Sequence, residues 1–87
     1  MKVRFTERFQ KKYKKLDAES QKAIDKAIRL FFQESKPASL RIKKIQGYEG
    51  VFEISGSMDI RVTFHYEQPE TGVFRNCGHH DETLNNP

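Results

Sequence analysis

The sequence predicts one α+β domain over residues 1–87, in which two helices segregate from an antiparallel sheet. Three observations carry that reading. Apolar residues recur at helical spacing from Phe9 to Phe31, whereas side chains alternate with period two from Val51 to Cys77. The third is length, since 87 residues leave no room for a second domain. The expected order is β-α-α-β-β-β: an N-terminal strand, an αα-hairpin, then a three-stranded antiparallel sheet.

Lys2 to Thr6 alternates, with Val3 and Phe5 on one side and Lys2, Arg4 and Thr6 on the other, as in a short strand. Thr6 is placed to cap the helix that follows, and Glu7 suits its first turn. Phe9, Tyr13 and Leu16 make one apolar stripe, with Lys11, Lys12, Lys14 and Lys15 covering the rest. Asp17 ends this helix and is placed to cap a second one. That helix carries a wider stripe of Ala23, Ile24, Ala27, Ile28, Leu30 and Phe31.

Lys36-Pro37-Ala38-Ser39 breaks the second helix. Leu40 to Gly47 then reads as an extended crossover with Arg41, Lys43 and Lys44 facing outward. Val51 to Ser55 is the first strand of the main sheet, and Gly56-Ser57 is its turn. In the second strand Ile60, Val62, Phe64 and Tyr66 alternate with Arg61, Thr63, His65 and Glu67. One face is therefore expected on the helices and the other open to solvent. After a turn at Pro69 and Gly72, Val73 to Cys77 forms the third strand, and Gly78 releases the chain into His79-His80-Asp81. After Leu84 only Asn-Asn-Pro remains, too short for a further helix.

Composition narrows the function. Apolar content is only 36%, so seven Phe and three Tyr must supply much of the core. A single cysteine rules out an internal disulfide and fits a reducing compartment. With no apolar run of signal-peptide or membrane-spanning length, a cytoplasmic protein without a membrane association is expected. Residues 1–47 hold fourteen Lys/Arg against five Asp/Glu, a balance of +9, and residues 48–87 hold two against seven, a balance of −5. Such asymmetry fits an anionic partner, nucleic acid or an acidic protein, but also helix lysines that serve only solubility. The run C-G-H-H-D, Cys77 to Asp81, lacks the paired spacing of a structural zinc site, so neither metal nor cofactor is expected.

Several segments in this order resemble the RelE/ParE superfamily. They are the opening F-T-x-x-F, the K-K-x-x-K-L-D junction, S-L-R-I-K-K-I-Q-G-Y-x-G-V-F-E, M-D-I-R-V-T-F and the closing G-H-H-D-E-T-L. The resemblance spans nearly the whole chain. It implies the toxin of a type II toxin–antitoxin system, neutralised by a small, acidic, partly disordered cognate antitoxin. RelE-like members cleave mRNA, often on the ribosome, whereas ParE-like members poison DNA gyrase. A gyrase poison, or an inactive homologue that only binds antitoxin, is therefore the alternative to an endoribonuclease.

Carried over by position, Arg61 matches a phosphate-binding arginine, while His80 and Asp59 match the catalytic histidine and an active-site aspartate of the YafQ-like branch. Lys43 stands where that branch has a histidine. Glu53 and Ser55 occupy places where RelE presents lysines, and the tyrosine near the end of RelE has no equivalent. Metal-independent RNA cleavage needs a base for the 2′-OH, an acid for the leaving oxygen, and cations on the phosphorane. The residues expected to supply these are His80 as acid or base and Arg61 as phosphate clamp. Arg41, Lys43, Lys44 and Arg75 are expected to bind RNA phosphate. Asp59 and Glu53 are expected as further bases or as partners that tune a histidine, with His65 and His79 as accessory groups.

Overall fold

The computed structural model describes residues 2–87. A strand β1 (Lys2–Phe5) leads into helices α1 (Glu7–Lys15) and α2 (Ala18–Phe31). A 3-10 turn (Ala38–Leu40) and a two-residue strand β2 (Lys43–Lys44) follow. The chain then runs through the meander β3 (Val51–Ser55), β4 (Ile60–Glu67) and β5 (Thr71–His79), and ends in helix α3 (His80–Asn85).

The helical hairpin forms where the apolar stripes predict it. Thr6 caps α1, its Oγ1 accepting from the Phe9 amide at 3.1 Å. Asp17 occupies the N-cap position of α2 but makes no side-chain capping bond. Phe9 from α1, with Ile24, Ala27 and Phe31 from α2, packs on Ile54, Ile60, Val62, Phe64 and Phe74 of the sheet. The rings of Phe31, Phe64 and Phe74 meet with centroids 4.8–5.9 Å apart. Each fully buried ring contributes on the order of 2–3 kcal/mol.

The three expected antiparallel strands lie at the centre of a mixed five-stranded sheet, in the order β1-β5-β4-β3-β2. The N-terminal strand joins it parallel to β5, Phe5 opposite Phe74, and Lys43–Lys44 adds a short edge against β3. Parallel pairing between strands some seventy residues apart leaves no local signal, because side-chain alternation is the same for either direction.

Two expectations about the far side of the sheet fail for one reason. His80–Asn85 is a helix, and it folds back over the face expected to be open. Thr63 and Asn76 are fully buried there with Thr83 of α3, and Asn76 Nδ2 donates to the Asn86 carbonyl at 2.9 Å. Gly78 allows the approach: its φ is +146°, and a Cβ would lie 3.1 Å from Thr83 Oγ1. Tyr66, expected in the core, is half-exposed. β3 begins opposite His65, so β4 outruns it and Tyr66 lies past the end of β3, against the edges of the Phe52 and Phe64 rings.

Candidate active site

The end of β5 and the β3–β4 hairpin meet at one corner of the molecule. Gly56 makes this corner tight, since a Cβ there would lie 2.9 Å from Ile60 Cγ2 and 3.2 Å from the Ala23 carbonyl of α2. In the ladder Ile60 pairs with His79, which sets Asp59 beside the strand-to-helix junction. The Asp59 carbonyl accepts from the His80 amide at 2.6 Å. The Asp59 carboxylate accepts from His79 Nδ1. That hydrogen bond, reinforced by the carboxylate charge, raises the His79 pKa above the usual imidazole value and lowers that of Asp59. His80 opens α3, its Nδ1 2.9 Å from Asp81 Oδ1 and its side chain about half exposed.

Arg61 lies one residue further along β4, opposite Gly78 and Ser55. Its side chain is 11% exposed and its Nη1 faces three carbonyl oxygens, of Ser57, Ile60 and Met58, at 2.7, 3.0 and 3.2 Å. Glu53 Oε1 approaches Nε to 3.5 Å, an ion-pair distance, yet Nε makes no hydrogen bond. Glu53 thus partners an arginine, while Asp59 partners a histidine.

His65 and Arg75 belong to a different arrangement. Arg75 Nη1 donates to His65 Nδ1 at 3.0 Å and Arg75 Nε to the Pro87 main-chain oxygen at 3.0 Å. An arginine can only donate, so His65 Nδ1 accepts and Nε2 carries the proton toward Glu67, 2.9 Å away. Glu67 also takes Arg4 at 2.7 Å, and hydrogen bonds from both partners hold its carboxyl below the usual range. Arg8 donates to the same Pro87 oxygen at 2.9 Å. The network ties together β1, α1, β4, β5 and the C-terminal residues. It holds Arg75 in place rather than presenting it outward.

Arg41, Lys43 and Lys44 are exposed and make no ion pair among the described residues. Register places Lys43 opposite Glu53, two residues from the Ser55–Arg61 pair. Cys77 is buried with Sγ toward the Phe9 carbonyl, and burial pushes its thiol up to about 12, which removes it as a nucleophile at neutral pH. Among the described residues no three His, Cys, Asp or Glu side chains cluster so as to hold a metal ion.

The fold therefore brings Asp59, His79 and His80 to one corner and sets Arg61 beside it on the next rung, with the Glu53 carboxylate reaching Arg61 from two residues further along β3. No hydrogen bond or ion pair joins His80 to Arg61 among the described residues. His65 and Arg75 sit farther along the strands, His65 opposite Val73 and Arg75 at the register shift between Phe74 and Asn76. Sequence reasoning did not single out Lys26, which α2 brings to the Arg61 side of the hairpin. One lysine among many on a helix carries no distinguishing signal.

No protein-family profile matches the chain, and no curated protein matches it in sequence. Solved structures do. A chain of the RelB–RelE antitoxin–toxin complex from Methanococcus jannaschii is 27% identical with a TM-score of 0.70, the match covering 88% of this chain and 89% of that one. The YoeB/ParE toxin from Agrobacterium tumefaciens is 16% identical with a TM-score of 0.73, over 92% and 99% of the two chains. YafQ from E. coli strain BL21(DE3) is 14% identical with a TM-score of 0.69, over 92% and 93%. The class is thus the small α+β fold shared by these toxins. The chain has the fold of the RelE/ParE superfamily of toxins. Among the described residues no helix is long and apolar enough to cross a membrane.

Proposed function

We propose that the protein is the toxin of a type II toxin–antitoxin system and acts as a metal-independent endoribonuclease on mRNA, free or ribosome-bound. The observation that carries the reading is the corner itself: two histidines and an aspartate at the β5–α3 junction, one rung from a nearly buried arginine. Asp59 orients His79 through Nδ1 and anchors the backbone of His80. His80 is half-exposed, and its Nε2 makes no hydrogen bond among the described residues. The imidazole side chain is suited to proton transfer at neutral pH.

In this mechanism one histidine takes the 2′-OH proton and the 2′-oxygen attacks phosphorus. The bond to the 5′-oxygen breaks, and that oxygen leaves with a proton from the second group. His80 serves one of these roles, and Asp59 acts through His79. Arg61 stabilises the phosphorane as a pre-positioned cation, since its carbonyl partners hold it in place before substrate arrives. Exposed Lys43, Lys44 and Arg41 hold flanking phosphates. The matched structures of RelB–RelE and DinJ–YafQ complexes support a cognate antitoxin as partner, and the +9 half offers an acidic segment its charge complement.

The test is cleavage of an RNA transcript and growth arrest, with and without ribosomes, for wild type, His80→Ala and His79→Ala. Loss of at least a hundredfold in His80→Ala is expected. Full activity in that variant overturns the assignment. One observation favours a gyrase poison instead: Glu53 offsets the charge of Arg61 at the site where phosphate would bind. Intact RNA with broken DNA soon after induction would establish that second reading.

A further inference from the structure

Between α2, the 3-10 turn and the β3–β4 hairpin lies a cleft of about 440 Å³. Three cations line it and no carboxylate does: Lys26 from α2, Arg41 just after the 3-10 turn, and Arg61 from β4. Lys26 and Arg41 make no ion pair among the described residues. Arg41 adopts left-handed backbone, φ +50° and ψ +59°, which is uncommon for a residue other than glycine. Two buried polar atoms on the cleft residues lack partners, Arg61 Nε and Ser55 Oγ, where buried polar atoms ordinarily have one. Ser39, Ser55, Ser57 and Gly56 share the rest of the lining with apolar side chains. Leu30 and Leu40 form part of the wall, and Met58 is 95% exposed. An exposed, flexible thioether is poorly placed for folding but well suited to lie against a flat ring.

Cations without carboxylates, next to an apolar wall, match a ligand that is anionic at one end and flat and apolar at the other. We propose that this cleft is a nucleotide-binding subsite, with Lys26 and Arg41 holding a phosphate, Arg61 at its border with the cut site, and Leu30, Leu40 and Met58 contacting the base or ribose. None of Asp59, His79 and His80 lines it, so it is separate from the proton-transfer corner. Ser57 borders both this cleft and the depression beside Asp59 and His79, so the two are contiguous around the hairpin. On that geometry the cleft holds a nucleotide neighbouring the one cut. The choice of RNA rests on the function proposed above, whereas the phosphate-and-base chemistry of the cleft does not.

The experiment uses a fluorescent single-stranded 2′-O-methyl oligoribonucleotide, which lacks the 2′-OH needed for cleavage, so binding is read independently of catalysis. Its affinity is measured by anisotropy for the full chain, Lys26→Ala, Arg41→Gly and, as a distant charge control on α1, Lys15→Ala. Glycine accepts the left-handed backbone of residue 41, and unchanged thermal unfolding verifies each fold. Lys26→Ala and Arg41→Gly should each weaken binding about tenfold, and Lys15→Ala less than about twofold. AMP is titrated in parallel while the amides of Lys26, Leu30 and Leu40 are followed by NMR. Movement of those amides assigns the cleft to phosphorylated nucleotides in general. Unmoved amides, with the tenfold losses intact, assign it to the RNA polymer. Equal losses in all three variants, or no loss in any, overturn the proposal. Should wild type fail to cut ordinary RNA yet show the tenfold pattern, the nuclease reading falls and the subsite stands.

Discussion

Residues 1–47 carry fourteen cations and residues 48–87 carry two, yet each of the two is held by several partners. Arg61 faces three hairpin carbonyls and Glu53, and Arg75 is bonded to His65 and the Pro87 oxygen. Arg41, Lys43 and Lys44 in the other half are exposed and unpaired among the described residues. The difference separates two uses of positive charge. A fixed arginine in a partly dry site acts at one place, because its orientation is settled before a ligand arrives. Free lysines raise the local concentration of an anion without specifying where it sits.

Removing the fixed cations should therefore cost stability, and removing the free ones should not. The largest effect is expected from Arg61→Ala, which leaves Glu53 nearly buried without its counter-charge and frees three carbonyls. Urea unfolding should show a loss of about 3 kcal/mol, with Arg61→Ala/Glu53→Ala recovering part of it. A loss as small as that from Lys43→Ala would break the contrast between the two halves. Arg75→Ala should cost about 2 kcal/mol and speed amide exchange at Thr83 and Asn86, since the end of α3 loses one of its ties to β5. Gly78→Ala forces a Cβ toward Thr83 at a positive φ and should cost about 1–2 kcal/mol. Lys43→Ala and Lys44→Ala should each stay within about 0.5 kcal/mol of wild type while weakening RNA binding and flattening its salt dependence.

The smallest and most specific effect concerns pH. His79 has a raised pKa in the folded chain, so its contribution is fully present below about pH 6.5 and is lost as pH rises through the folded value. Asp59 has a lowered one, so its contribution is present above about pH 4 and is lost as pH falls through the folded value. The pair is therefore most favourable between those limits. In an NMR titration Asp59→Asn should move the His79 midpoint back toward the ordinary imidazole value. An unmoved midpoint would mean that the two side chains do not interact in solution.

Much of this was readable from particular residues. Thr6 and the Phe9/Tyr13 spacing marked the first helix, and the alternation Ile60–Val62–Phe64 marked the buried face of β4. The family position of Arg61 led to a residue that the structure sets beside the corner. Position alone did not reveal which carboxylate serves which base: Glu53 turns to Arg61, and Asp59 to His79. Nor did His65 and Arg75 look different from the other basic groups of the sheet. Their structural role depends on Pro87 and Glu67, which only the folded chain brings to them.

Helix α3 shows where local reading stops. His80–Asn85 spans six residues, too few to be stable from propensity alone, and it forms because Asn76 and Arg75 bond the residues that follow it. The sequence by itself determined the helical hairpin, the three-stranded meander and the charge division, because period and composition are properties of contiguous residues. Tertiary structure alone decided that β1 joins β5 in parallel, that α3 closes over the polar face, and that Lys26 and Arg41 flank Arg61. Those outcomes depend on contacts between segments far apart in the chain, and side-chain periodicity carries no information about partners at that distance.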